Sequence, residues 1–145
     1  DWSSDVCSSD LTRLSNLLGV QWGPVLRMEA VDFRLGDGTD VTMPNAMCYS
    51  VGDPCIELIE ELPGSVWVRN DHSNLHHIGT WSADLAGHSA AFGSAGCPMQ
   101  LCGRSGSVAP TMFAYHHDPV LGVRIELVDA AMRDAMAMLF EPTDD

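Results

Sequence analysis

Basic side chains are scarce in this chain: 7 stand against 20 acidic ones over 145 residues, a formal charge of -13. A field of that sign repels phosphate backbones and anionic membrane surfaces, so nucleic acid is excluded as an expected partner. Long apolar runs are missing as well. None approaches the roughly 20 residues needed to cross a bilayer, and no charged-then-apolar leader opens the chain, so a cytoplasmic protein with no membrane partner is expected. The five cysteines, Cys7, Cys48, Cys55, Cys97 and Cys102, lack the C-x-x-C spacing of zinc ribbons and redox motifs. Reduced thiols are expected, although the segment Cys97 to Cys102 is short enough to bring its two ends together. The length is that of one domain, able to bury roughly two thirds of the surface its unfolded form exposes without a disulfide or metal staple.

The elements that are present follow a repeated order. Asp1 to Leu11, DWSSDVCSSDL, is polar with no helix or strand period. From Thr12 to Val20 the residues Leu14, Leu17 and Leu18 fall at helical spacing and Gly19 supplies a stop. Strands are expected over Val25 to Leu35, Val41 to Tyr49 and Cys55 to Leu62, with a turn at Gly36 to Thr39. After a linker over 63–74 comes a strand at Leu75 to Ser82, a helix from about Asp84 to Ala95, and strands near Pro98 to Gly103, Thr111 to His117 and Val123 to Val128. A closing amphipathic helix, Ala130 to Phe140, puts Ala131, Met132, Ala135, Met138 and Leu139 on one stripe. The second half therefore reads strand, helix, three strands, and the first half repeats it without the opening strand. His77 lies 19 residues before Gly96, and the same count back from Gly19 reaches position zero. The expectation is an α+β fold of two β-α-β-β-β modules, 12–62 and 75–128, in one domain over 12–141, forming an open cleft of mostly antiparallel sheet with the first strand of module 1 missing.

Ile56-Glu57-Leu58-Ile59 and Ile125-Glu126-Leu127-Val128 are the same apolar strand with one carboxylate set in it, 69 residues apart. Strand side chains alternate faces, so the apolar neighbours can pack on helices while Glu57 and Glu126 look to the open face. In Leu75-His76-His77-Ile78-Gly79 the same division puts Ile78 toward the helices and His77, Gly79 and Trp81 toward the open side. Two joined modules would bring a His and a Glu from different halves together. Carboxylate and imidazole suit a divalent ion such as Zn²⁺, Ni²⁺, Co²⁺, Fe²⁺ or Mn²⁺, among which spacing does not choose. Without such a centre, both carboxylates are solvated residues on the exposed face of an antiparallel sheet.

LHHIGTWSADL (Leu75 to Leu85), the Glu57 strand and FAYHHDPVLGVRIELVDAAMR (Phe113 to Arg133) make the chain resemble the vicinal-oxygen-chelate superfamily, in particular its glyoxalase-like group near methylmalonyl-CoA epimerase, over about Thr12 to Arg133. The resemblance implies a metal held by Glu57, His77 and Glu126; the histidine of the first module's opening strand has no match here, so activity of the chain as written is not implied. It further implies a metal-dependent isomerase or lyase that takes a proton from carbon, with Glu126 as base or Glu57 in its place, acting on a small substrate such as a thioester or 2-oxo compound, in a protein able to form a homodimer. The same architecture also serves metal-free binding proteins of the bleomycin-resistance kind, and extradiol dioxygenases, whose two-His-one-Glu iron site is at odds with Glu57. Asp1 to Leu11 resembles a translated sequencing adapter and is expected to be foreign to the protein.

Other polar residues have plainer readings. His76, next to His77 but on the other face, is expected to hydrogen-bond structurally. His72 belongs to a polar loop. His116 and His117 end a strand, and His117 shares a face with Phe113 and Tyr115, which makes it a pocket-lining candidate. Trp81 either meets substrate or packs on a neighbouring strand. Gly103 to Ser107 lacks the strand-to-helix setting of a phosphate loop, although Arg104 in it is placed to meet an anion.

Overall fold

A computed structural model describes residues 4–68, 75–104 and 109–141, with side chains from position 11 onward. Helix α1 spans Ser4–Leu18; strands β1 (Leu26–Leu35), β2 (Asp40–Tyr49) and β3 (Glu57–Ile59) follow. Then come β4 (Ile78–Ser82), helix α2 (Leu85–Ser94), β5 (Met99–Gly103), β6 (Phe113–Asp118), β7 (Val123–Asp129) and the short helix α3 (Arg133–Met136). The structure is mixed α+β, with one seven-stranded sheet in the order β3-β2-β1-β5-β6-β7-β4. The pairings of β2 with β3, β1 with β5, β5 with β6 and β6 with β7 are antiparallel, and β4 runs parallel to β7. In the second half β4 thus lies beside the Glu126 strand. No described strand holds the corresponding place beside β3, which ends the order.

Local chemistry fixes the element ends. Gly19 and Gly96 follow α1 and α2 with φ of 70° and 85°, the left-handed conformation that closes a helix at little cost to glycine. The Asp84 side chain caps α2 by accepting from the Gly87 amide at 2.9 Å. Helix α1 extends through the polar segment before Thr12, because adding a residue to a formed helix is far easier than nucleating one.

Three expected elements differ. β3 keeps three residues, since Ser50 takes over the chain just before it: the Ser50 and Ile56 backbones bond at 2.8 Å, and the Ile56 amide donates to the Ser50 hydroxyl. β4 starts at Ile78, three residues later than expected, because His76 is drawn into side-chain contacts. Ile78 is 56% exposed and so does not pack on the helices; β4 is the last strand of the sheet. The closing helix is broken into a 3-10 turn at Ala130–Met132, α3, and a second 3-10 turn at Ala137–Phe140. There the Leu139 carbonyl lies where a Cβ on position 23 would be, a close approach only Gly23 permits.

The chain forms two compact units that do not coincide with the expected modules. One comprises Asp1–Arg27, Ala46–Ile59 and Ala135–Asp145, the other Met28–Asn45 and Glu60–Asp134. Most of β1 belongs with the second because Phe33, Arg34 and Leu35 pair with β5. In the first unit, the Trp22 indole donates to Ser15 and to the Leu11 carbonyl, and Tyr49 packs edge-on against Phe140 at 5.3 Å. In the second, Leu85, Cys102, Ala114 and Leu127 form a core between α2 and the sheet, with Phe92, Met99 and Ile125 against it. On the other side of that sheet Phe33, Trp67 and Tyr115 are buried in a chain of edge-to-face rings. Cys48, Cys55, Cys97 and Cys102 are free thiols, and burial pushes the Cys102 thiol up.

Two substitutions test this packing. Leu127→Ala should cost about 2–5 kcal/mol through the cavity it leaves. Ser89→Ala should cost about 1–3 kcal/mol by removing the hydroxyl that bonds buried His116. Denaturant unfolding measures both.

Candidate metal centre

The register of β4 against β7 sets Gly79 opposite Glu126 and Thr80 opposite Leu127. Leu127 points into the α2 core, so Glu126 points the other way, together with Tyr115 across from it on β6. Gly79 makes room for the carboxylate: a Cβ there would lie 3.1 Å from Glu126 Oε2. His77, just before β4, brings its Nε2 to 3.3 Å from that oxygen, and the two side chains are only 9% and 14% exposed.

The sequence does not announce what lies behind His77. His76 Nε2 is 2.8 Å from the Val66 carbonyl, and His76 Nδ1 is 2.8 Å from His77 Nδ1. A carbonyl only accepts, so His76 donates from Nε2. A neutral His76 ring is then an acceptor at Nδ1, and His77 must donate from its own Nδ1. That leaves the lone pair of a neutral His77 on Nε2, aimed at Glu126. With both rings neutral, two acceptors face one another at 3.3 Å, an arrangement that a cation or a proton between them would stabilise. The separation is longer than the 2.7–2.9 Å typical of a charge-assisted hydrogen bond. It does match two ligand atoms sharing one ion, which at bond lengths of about 2.0–2.2 Å lie roughly 3.0–3.4 Å apart.

Glu57, His77 and Glu126 form the group that could hold a metal ion, with one ligand atom from each and all three atoms within 4.8 Å of one another. The donor set of one imidazole and two carboxylates fits a divalent ion. Glu57 accepts a 2.8 Å hydrogen bond from the Tyr49 hydroxyl at its Oε1, so its carboxylate is oriented by its neighbour on β2.

The remaining expected residues sort differently. His76 does hydrogen-bond structurally, but it does not turn away from His77: their rings are 5.1 Å apart, because strand alternation has not begun at these positions. His116 is buried and satisfied, with Ser89 at Nε2 and the Cys97 carbonyl at Nδ1, both 2.9 Å away. Trp81 lies under the Arg133 guanidinium, 5.0 Å from its ring centroid. Arg104 is paired with Asp40 at 2.8 Å. His72 and positions 105–107 lie outside the described residues.

Sequence reasoning missed Trp67, Tyr115 and Arg124. Tyr115 touches His76 at 5.4 Å and His77 at 5.0 Å between ring centroids, and accepts a 3.3 Å hydrogen bond from the Trp67 indole. Trp67 sat in the stretch read as linker and gave no periodic signal. Arg124 did leave a sign, standing two positions before Glu126 and so on the same strand face. Burial pulls its pKa below the ordinary guanidinium value, against the opposing influence of Tyr115.

Comparisons of the chain with protein-family models, with curated proteins and with solved structures find no significant match.

The relay predicts that His76→Phe, which keeps a ring but ends the hydrogen bonds, weakens Co²⁺ binding by about 10–100-fold. Gly79→Ala should weaken it as well by crowding Glu126. Both are read from visible absorption of the Co²⁺-titrated protein, with melting temperature as the control for folding.

Proposed function

We propose that this protein is a metal-dependent isomerase or lyase of the glyoxalase and methylmalonyl-CoA epimerase kind, removing a proton from a carbon beside a substrate carbonyl. The observation that carries the reading is the Val66, His76, His77 relay, which presents an imidazole lone pair to Glu126 at ligand-ligand distance. The resemblance over Thr12 to Arg133 supports it.

A divalent ion on Glu57, His77 and Glu126 would polarise the substrate's oxygens and so make the adjacent C–H acidic. The other tasks fall to the chain's own residues. Glu126 is the base: its carboxylate stands over Gly79, where no side chain hinders a swing toward substrate. It accepts the proton from carbon and returns it to a neighbouring atom in an isomerisation; an epimerisation would take its second proton from a donor on the opposite face of the substrate. Glu57, oriented by Tyr49, is better suited to stay a ligand. His77 is held in place by the contact of its Nδ1 with His76 and by its ring contact with Tyr115.

A carboxylate pair around an imidazole is a feature a metal-free binding module has no use for, which favours catalysis over sequestration. The test has two readouts on the purified chain: uptake of Co²⁺, Ni²⁺ or Zn²⁺, and deuterium incorporation at the acidic carbon of methylmalonyl-CoA in D₂O. Stoichiometric metal and exchange above the buffer rate are expected, with Glu126→Gln slowing exchange by about 10²-fold or more. No metal uptake together with exchange at the buffer rate would sink the enzyme reading and favour a binding protein.

A further inference from the structure

Arg124 is the unusual cation of this molecule. The chain has 20 acidic residues for 7 basic ones, all arginine. Arg34 and Arg104 both use Asp40, and Arg133 covers Trp81. Arg124, half-buried in β7, has no carboxylate partner among the described residues. Its Nε donates to Gln100 Oε1 at 2.6 Å, its Nη1 reaches the His76 carbonyl at 3.4 Å, and its guanidinium carbon lies 5.9 Å from the Tyr115 ring centroid. Two neutral oxygens and a ring therefore fix the group on three sides. Among the described residues the buried side-chain nitrogen and oxygen atoms without a partner are Asn45 Oδ1 and Arg104 Nε. Arg124 Nη2 is not among those buried, partnerless atoms, and no acceptor for it is seen among the described residues.

Its position matters as much as its lack of an acid. Arg124 and Glu126 are two apart on one strand, so they share a face roughly 6.6 Å apart along the chain. His117 stands opposite Arg124 on β6 and faces the same way, adding an imidazole beside the guanidinium. The contact with the His76 carbonyl ties the guanidinium to the backbone that carries His77. Holding a half-buried cation in a fixed pose without a counterion costs side-chain entropy and solvation, and a ligand anion is what would offset both.

We propose that Arg124 is the receptor for a substrate carboxylate, which makes the substrate a carbonyl compound that also carries a carboxylate, such as a 2-oxo acid. This rests on the metal-dependent reading above. One guanidinium matches the single negative charge of a carboxylate, whereas a phosphate dianion brings two. The bound carboxylate would sit two positions along β7 from Glu126, placing the carbonyl carbon's neighbour within reach of Glu126.

The test uses the full chain stripped of metal with EDTA, so that it reads Arg124 alone. The arginine Nε–H resonances are followed by NMR during titration with pyruvate, with its neutral amide and with inorganic phosphate, and the Arg124 signal is assigned by its absence in Arg124→Lys. Pyruvate is expected to shift that signal saturably while the amide leaves it still, and Arg124→Gln should bind pyruvate at least tenfold more weakly. Arg124→Lys, which keeps the charge, guards against loss of fold and should retain part of the affinity. An unmoved Arg124 signal, equal response to the amide, or tighter binding of phosphate than of pyruvate overturns the proposal. A separate Co²⁺ titration keeps the two readings apart: metal uptake without a pyruvate response defeats this inference alone, and a pyruvate response without metal uptake defeats the metal centre alone.

Discussion

The parallel ladder between β4 and β7 is the constraint on which the site depends. Side chains alternate along a strand, so a slip of one residue would turn Glu126 into the α2 core and expose Leu127. Either change is expensive. Fully burying a leucine stabilises by about 1.5–3 kcal/mol, and an unpaired carboxylate placed in an apolar core costs several kcal/mol. Leu127 is 2% exposed among Leu85, Cys102 and Ala114, so the core on one face of the sheet fixes which residues appear on the other. The register then brings Gly79 opposite Glu126 and leaves the carboxylate the space it occupies. The polar site is thus positioned by apolar packing that it does not share.

The opposite face is stiffened by rings in place of aliphatic side chains. Tyr115 is 2% exposed and meets Phe113, Trp67, His76 and His77 at centroid separations of 5.0 to 6.4 Å. Aromatic pairs in tilted and edge-to-face poses add about 0.5–1.5 kcal/mol each beyond the area they bury. The consequence for His77 is rigidity before any ligand arrives: ring contacts fix its plane, and the Val66 carbonyl, acting through His76, favours one tautomer of a neutral ring. An imidazole free to rotate or change tautomer would have to be ordered at each binding event.

The sequence carried the strand and helix order well, because period-two alternation and glycine stops are local signals. β1, β2, β5, β6, β7 and α2 begin and end within two residues of their expected places. Glu57, His77 and Glu126 were legible for a related reason: a charged residue inside an apolar strand, repeated 69 residues later, stands out against its surroundings. The tertiary contributions were not legible. Strand alternation put His76 on the far side of His77, yet both residues precede β4, where a carbonyl from Val66 and the Arg124 guanidinium decide the geometry. Trp67 is buried by rings distant in sequence, and nothing in Ser65-Val66-Trp67-Val68 distinguishes it from a linker. The closing helix failed for the same reason, since its stripe is periodic but the approach of Leu139 to Gly23 is a contact between remote parts of the chain.

Charge ties these observations together. A net charge of -13 repels any anion at long range, but at physiological ionic strength the field of exposed charges decays over about 8 Å. Inside that distance the identity of the nearest group decides, because two unit charges 4 Å apart interact by about 4 kcal/mol at an effective dielectric near 20. The long-range field therefore slows encounter with anions without dictating which are held. On the proposed reading of Arg124, a single substrate carboxylate would place its whole charge against the guanidinium. The acidic composition then slows the encounter with an anion, and on that reading the guanidinium on the Glu126 face would hold its carboxylate once it arrives.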